Sequence, residues 1–354
     1  MAEDTRVVAP KGTVVLTGAN GGLGVATVTK LLSRPDLAAL HGIYAVRNAS
    51  SAPALQSALQ GAVRPHPHDI VSLDLTRSAD VRKLAADINS RVATGEIPAI
   101  RTLILNAAYL EFEEQTWTED GFDTAFAAAY LGHWLLTVLL LQSMDRELGR
   151  IVVISSSAHD SQDKRNNAGG QYKGDKWKTI FHDSTEPIAK GTWSTTKEDP
   201  SLRGGYRRYG AAKLCQVMMI PELQRRIDTD PILKNISVLA IDPGSTPTYL
   251  VRRGDWRIRG LWTYIMPWLV VILTWIWPNG SNRTTKKASG DIVAAAFDCN
   301  PTLGERPKGL YMDGEERREM AAEARDPKKR EILWRDTVKY TGLKETDTIL
   351  ANWA

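Results

Sequence analysis

The chain has 354 residues, 43% of them hydrophobic, and its 45 Lys and Arg nearly balance 41 Asp and Glu, leaving a formal net charge of +4. That length is large for one core yet within the range of an α/β domain, and the small net charge excludes the global basic field of a nucleic-acid binder. Residues 1–11 are mixed in charge and lack an apolar core, so neither a signal peptide nor an N-terminal anchor is expected there.

Residues 13–16 are an apolar β-branched run, and residues 25–32 read as a helix. Between them lies Thr17-Gly18-Ala19-Asn20-Gly21-Gly22-Leu23-Gly24. A strand, a glycine-rich turn and a helix start make a cradle for a dinucleotide pyrophosphate. The glycines permit close approach, and the helix N-terminus offers free N–H groups and the positive end of its dipole. A plain glycine turn is the alternative for this loop, and its placement between strand and helix argues against it.

Further short apolar runs follow at 42–46, 70–75, 102–105, 151–155 and 237–241, without polar alternation, as buried parallel strands do. Helical patterns at 79–92 and 122–144 lie between them. Alternating β and α predicts a doubly wound parallel sheet, a Rossmann fold, with the cofactor across the C-terminal strand ends. We expect one such domain over 1–354. A polar insertion at 158–205 would lie near the active site as substrate-shaping loop or surface decoration.

The end of the second strand bears on cofactor choice. An NAD enzyme carries an acid there for the ribose 2′-OH, whereas this chain has Ala45-Val46-Arg47-Asn48. Arg47 could pair with a 2′-phosphate, which favours NADP(H); the alternative is an exposed turn arginine. Farther on, Tyr209-Gly210-Ala211-Ala212-Lys213 sets Tyr209 and Lys213 four apart on one helix face. A phenol is a poor acid–base group near neutrality, and a neighbouring ammonium favours its phenolate. Taken alone, the pair could equally be a surface Tyr and Lys.

With these two motifs the chain resembles the short-chain dehydrogenase/reductase family. The loop fits the family's TGxxxGxG pattern and Tyr209/Lys213 its YxxxK. Residues 103–108 are similar to the NAG signature after the fourth strand, and Pro243-Gly244 with Thr248 to the PGxxxT signature after the sixth. The resemblance runs from about residue 12 to about 342, and residues 131–137 and 333–343 look like the retinol-dehydrogenase-like and fungal reductase branch. It implies Ser156 as the catalytic serine orienting the substrate oxygen, Tyr209 as acid/base and Lys213 as its activator. For the cofactor it implies Gly18, Asn20, Gly22, Leu23 and Gly24 at the phosphates, and Asp74 and Leu75 at the adenine. Asn106 would border the adenosine ribose, Tyr209 and Lys213 the nicotinamide ribose, and Pro243, Gly244, Thr246 and Thr248 the nicotinamide and its phosphate. The implied activity interconverts a hydroxyl and a carbonyl on a lipophilic small molecule.

One position departs from the family. Its catalytic asparagine, in an N-x-L-G-H context, is Ala129 here. This puts the proton relay from the lysine in doubt and keeps open a slow or non-redox enzyme, or a membrane-associated nucleotide-binding scaffold.

Residues 260–282 carry no charge and include Trp262, Trp268, Trp275 and Trp277. The length would allow a span, but the flanking strands belong to one sheet, which a single crossing would divide. We expect residues 250–285 to form an apolar substrate lid or a membrane contact, with Arg252, Arg253, Arg257, Arg259, Arg283, Lys286 and Lys287 as basic flanks for an anionic surface. A dimer contact is the remaining alternative. The expected setting is cytoplasmic, peripheral or monotopic on an intracellular membrane. Cys215 and Cys299 read as small buried residues without a disulfide. His66-Pro67-His68-Asp69 reads as a turn, with no metal expected.

Overall fold

A computed structural model of the chain describes residues 11–64, 66–112, 114–166, 169–247 and 266–354. Eight strands form one sheet: β1 (Thr13–Thr17), β2 (His41–Val46), β3 (His68–Ser72), β4 (Ile100–Leu105), β5 (Arg150–Ile154), β6 (Ser237–Asp242), β7 (Tyr311–Asp313) and β8 (Glu316–Arg317). Their order is β3-β2-β1-β4-β5-β6-β7-β8, with every pairing parallel except β7–β8. The winding direction reverses between β1 and β4, the switch point at which such sheets open a crevice. The expected Rossmann fold is present.

The helices are α1 (Gly22–Ser33), α2 (Pro53–Gln60), α3 (Ser78–Ala93), α4 (Thr124–Phe126), α5 (Gly132–Leu140), α6 (Glu186–Ala189), α7 (Leu202–Asp228), α8 (Met266–Ile276), α9 (Thr285–Phe297), α10 (Ala322–Arg325) and α11 (Pro327–Thr341). Alternate strand residues feed two cores, one on each side of the sheet. Val15, Ile43, Leu103, Ile151, Val153 and Val238 meet α3, α5 and α7, while Val14, Leu16, Ile104, Val152, Leu239 and Ile241 meet α1, α2 and α9. The strands are apolar on both faces for this reason. Helix α3 buries Val81, Leu84, Ala85 and Ile88, an i, i+3, i+4, i+7 stripe.

Three sequence expectations shift. β3 lies at 68–72 rather than 70–75, and it is an edge strand with half-exposed residues, so its apolar run carries less register information. The helix expected over 122–144 is interrupted by a π-helical turn, Ala127–Leu131, between α4 and α5. This stretch is long and apolar enough to cross a membrane, but it lies buried in the core against the sheet and α7. Cys215 is buried as expected, whereas Cys299 is exposed beyond α9. The polar insertion folds into short 3-10 turns and α6.

Candidate active site

The expected cofactor and catalytic residues cluster at the C-terminal ends of the strands. Thr17 and Gly18 end β1, Asn106 follows β4, Ser156 follows β5 and Pro243 follows β6. At Gly18 φ is +68°, and a Cβ there would meet the Ala107 Cα at 2.9 Å, so only glycine fits. Asn106 clamps this turn: its Nδ2 donates to the Thr17 carbonyl at 2.9 Å and to the Gly18 carbonyl at 3.3 Å.

Helix α1 starts at Gly22 after an extended Gly21, and no side chain caps it. Its first N–H groups therefore stay open, which fits a phosphate group. Gly22, Leu23 and Gly24 supply that opening turn. Asn20 turns its Oδ1 to the Leu55 N–H at 3.1 Å, tying the loop to α2. Arg47 stands exposed one residue beyond β2. Asp74 forms a local turn through its Oδ1, which accepts from the Thr76 N–H and Oγ1 at 2.9 and 2.7 Å, with Leu75 buried beside it. Gly244 and Thr246 follow β6, half-buried; Thr248 lies outside the described residues. These positions can hold a dinucleotide along the strand ends.

Helix α7 delivers the Tyr–Lys pair. A Cβ on Gly210 would meet the Tyr172 hydroxyl at 2.0 Å and the Ala158 carbonyl at 2.5 Å, so Gly210 lets the helix settle on the loop after Ser156. The polar insertion therefore reaches the site: Tyr172 donates to the Ala158 carbonyl at 2.7 Å. Tyr209 is buried, 7% exposed, and Ser156 heads the short turn that follows β5. Burial pushes the Tyr209 phenol well above its ordinary value, and its hydrogen bond with Ser156 acts in the opposite direction. Lys213 lies 5.7 Å from the centre of the Tyr209 ring, and burial holds its ammonium down to about 7 against the pull of Asp242. The site thus sets a phenol raised by desolvation beside a lysine whose ammonium burial disfavours. Each would regain its charged form most readily with an opposite charge nearby.

Sequence reasoning missed several neighbours. Lys213 donates to the Ile154 carbonyl at 2.7 Å and to Gln216 Oε1 at 2.9 Å. His133 is fully buried between Thr17 Oγ1 and the Ala129 carbonyl, each at 2.9 Å. Tyr130, next to Ala129, shares a hydrogen bond with Thr337 Oγ1 on α11 at 2.8 Å. Asp242, directly before Pro243-Gly244, is buried with Oδ1 accepting from the Gly244 N–H at 2.9 Å and Oδ2 without a hydrogen-bond partner among the described residues. Burial, then Asp313, raises its pKa.

Around Asp242 lies a charge network. Asp313 Oδ1 accepts from Arg283 at 2.5 Å, and its Oδ2 lies 2.9 Å from Arg165 and 3.1 Å from Arg318. Arg283 also donates to the Asp242 carbonyl at 2.9 Å. Arg283 is 0% exposed, which corrects its expected place among surface basic flanks. Lys287 is likewise engaged, with Asp291 at 2.5 Å and Glu315 at 3.0 Å. A parallel bridge joins Ser245 to Asn282, which brings the two ends of the 246–281 stretch together; residues 248–265 of it lie outside the described residues. Helix α8 belongs to that excursion. Trp268 is 79% and Trp275 84% exposed, with Leu269, Val271, Ile272, Ile276 and Trp277 also exposed. Helix α8 runs for eleven residues within the described part of the chain. Among the described residues no cluster of His, Cys, Asp and Glu is arranged to hold a metal; His66 instead bonds Tyr44 and the Ala38 carbonyl.

The short chain dehydrogenase family model matches residues 12–177. The chain is 44% identical to the short-chain dehydrogenase iccH of Talaromyces variabilis, over 97% of this chain and 99% of that protein. It is 27% identical to human retinol dehydrogenase 13, over 95% of this chain and 86% of that protein. An NADPH-bound carbonyl reductase from chicken fatty liver shares the fold, with a TM-score of 0.56 at 16% identity, covering 89% of this chain and all of the other. With this sheet order and these motifs, the chain belongs to the short-chain dehydrogenase/reductase family of oxidoreductases, in its retinol-dehydrogenase-like and fungal branch.

Proposed function

We propose that this oxidoreductase interconverts a hydroxyl and a carbonyl on a lipophilic small molecule with NADP(H). The observation that carries the reading is the Tyr209 hydroxyl hydrogen-bonded to Ser156 with Lys213 5.7 Å from the Tyr209 ring, on the same sheet whose first strand leads into the open end of α1. Bound NADP(H) supplies or takes up the hydride. In the reducing direction Tyr209 gives its phenolic proton to the substrate oxygen, and Ser156 hydrogen-bonds and orients that oxygen. Lys213 holds positive charge beside the phenolate that remains, and it has a donor left for the nicotinamide ribose. Arg47, with no acid between it and α2, favours the 2′-phosphate form. The NADPH or NADP named for fold neighbours such as the chicken carbonyl reductase is in keeping with this choice.

A second reading, a nucleotide-binding scaffold with a degenerate site, rests on Ala129 alone. The intact trio weighs against it. The test is NADPH oxidation over a panel of lipophilic ketones and aldehydes, with Tyr209→Phe as control. We expect turnover with at least one apolar carbonyl and a loss of at least about 100-fold in Tyr209→Phe, with NADPH binding kept within a few fold. Wild-type turnover in Tyr209→Phe would refute the assigned chemistry.

We also propose that the outer face of α8 rests on a lipid surface, as the floor of an apolar lid. Its exposed Trp-rich face supports this. Arg283 and Lys287 are engaged internally and Lys286 is exposed, while Arg252, Arg253, Arg257 and Arg259 lie outside the described residues; the face of α8 itself is hydrophobic. Association of two copies through α8 is the competing outcome, which sizing in the absence of lipid detects. Peripheral attachment to an intracellular membrane follows from this reading.

A further inference from the structure

We propose that Gln216 is the positioning residue for Lys213, doing in this chain what no side chain at Ala129 can do. The inference rests on the reading of Ser156, Tyr209 and Lys213 as the reacting group.

A lysine that is 1% exposed has three N–H donors and little water to satisfy them. Two donors have partners: the Ile154 carbonyl at the end of β5 and Gln216 Oε1. Gln216 lies three residues after Lys213, on the same face of α7, and is itself fully buried. The third donor is left for the cofactor and the Tyr209 side.

The facing helix cannot take over this duty. The Ala129 carbonyl looks toward the same cluster, but the His133 ring occupies it. Thr17 fixes how. Thr17 Oγ1 already accepts the N–H groups of Asn106 and Ala107, at 2.9 and 3.0 Å. Its own hydrogen therefore goes to His133 Nε2 at 2.9 Å. His133 Nδ1 then carries the ring proton and donates it to the Ala129 carbonyl at 2.9 Å. Burial keeps this imidazole neutral, down at about 3. Gln216 Nε2 lies 3.3 Å from His133 Nδ1, but both nitrogens carry hydrogen and make no bond; it is the donation from Lys213 that sets the amide oxygen toward the ammonium. Gln216 is the side-chain acceptor that remains for Lys213.

The consequence concerns the charge of Lys213. An acceptor aimed at an ammonium favours its protonated form. The groups facing Lys213 are Tyr209 on its own helix, neutral His133 on α5 and Asp242 from β6, the last backed by Arg165, Arg283 and Asp313. None of these is bonded to Gln216 Oε1, so changing Gln216 leaves the Asp242 network in place.

The experiment compares Gln216→Met and Gln216→Glu with wild type, using any carbonyl substrate that is turned over, at saturating NADPH. For Gln216→Met we expect kcat to fall about tenfold or more, with KM changed by less than about threefold. The alkaline limb of kcat/KM should move down by about one pH unit. For Gln216→Glu the carboxylate should move that limb upward, with much of kcat retained. Opposite displacements in two near-isosteric variants are not what a purely structural role gives. A folded Gln216→Met with wild-type kcat and an unmoved limb overturns the proposal. If Gln216→Met does not fold, Gln216→Glu decides: an unmoved or lowered limb overturns it. Tyr209→Phe, run alongside, separates the two levels. If it keeps turnover, the catalytic reading fails; if it is inactive while both Gln216 variants match wild type, only the role of Gln216 fails.

Discussion

Thr17 Oγ1 and His133 Nε2 lie 2.9 Å apart, a buried hydrogen bond that joins the last residue of β1 to α5 across 116 positions of sequence. The same oxygen accepts two backbone N–H groups from the start of the loop after β4. One hydroxyl therefore holds together the strand that opens the glycine turn, the strand beside it and the helix facing Lys213.

Replacing that hydroxyl should be costly. Thr17→Val keeps the shape but leaves the Asn106 and Ala107 N–H groups and the His133 ring without their partner. We expect a loss of about 2–4 kcal/mol in unfolding free energy, and Thr17→Ser to lose much less. Urea denaturation of the three proteins measures this; equal midpoints for valine and threonine would contradict the accounting.

His133 predicts a pH effect on stability. Burial lowers its folded-state pKa to about 3, from about 6.5 in the unfolded chain. Between those values the unfolded chain binds the extra proton. The stability associated with the neutral ring is thus whole above pH 6.5 and is lost as pH falls toward 3. His66 and His159 are also lowered by burial and add to the trend. His133→Asn should be less stable than wild type at pH 7.5, and the gap should narrow by up to about 1.4 kcal/mol per pH unit below 6.5. Chemical denaturation at pH 7.5, 6 and 5 gives the difference, and a constant gap would count against a neutral buried ring.

Arg47→Ala should weaken NADPH binding by about 10- to 100-fold, the worth of charge-assisted hydrogen bonds to a phosphate, and leave NADH almost unchanged. Fluorescence titration of both cofactors against both proteins decides it. Equal affinity of the wild type for NADH and NADPH would remove the case for Arg47.

Trp268→Glu with Trp275→Glu should release the protein from liposomes and raise KM for apolar substrates, while leaving Tm near wild type because both side chains are mostly exposed. Co-sedimentation with neutral and anionic vesicles is the measurement. Failure of the wild type to sediment with either would dismiss the lipid contact.

Much of this was readable in the sequence because the elements are locally marked. The glycine turn, the apolar runs of β1, β4, β5 and β6 and the Tyr209–Lys213 spacing each declare themselves within a few residues. The edge strand β3 did not, since half-exposed positions dilute the pattern that sets register. Gln216, His133 and Asp242 were missed for another reason. Their partners lie on other elements, and nothing at short range separates a glutamine that holds a lysine from one that fills a helix. Two signals were available in retrospect: the i+3 spacing of Gln216 from Lys213, and a carboxylate set in an apolar strand directly before Pro243-Gly244. Arg283 was misplaced on the surface because its partners, the Asp242 backbone carbonyl and the Asp313 carboxylate, arrive from β6 and β7.

The Ser245–Asn282 bridge sets the two ends of the 246–281 stretch side by side, like the posts of a doorway. The Ser245 N–H donates to the Ser281 carbonyl at 2.7 Å, the Arg283 N–H to the Ser245 carbonyl at 3.0 Å, and the Arg283 side chain locks the jamb to β6 and β7. A segment closed in this way transmits little of its own length to the sheet, since each doubling of a flexible loop costs only about 0.6 kcal/mol. The two ends of the stretch are therefore held independently of its length, so exchanging the residues between them should leave the glycine turn and the Tyr209–Lys213 helix where they are.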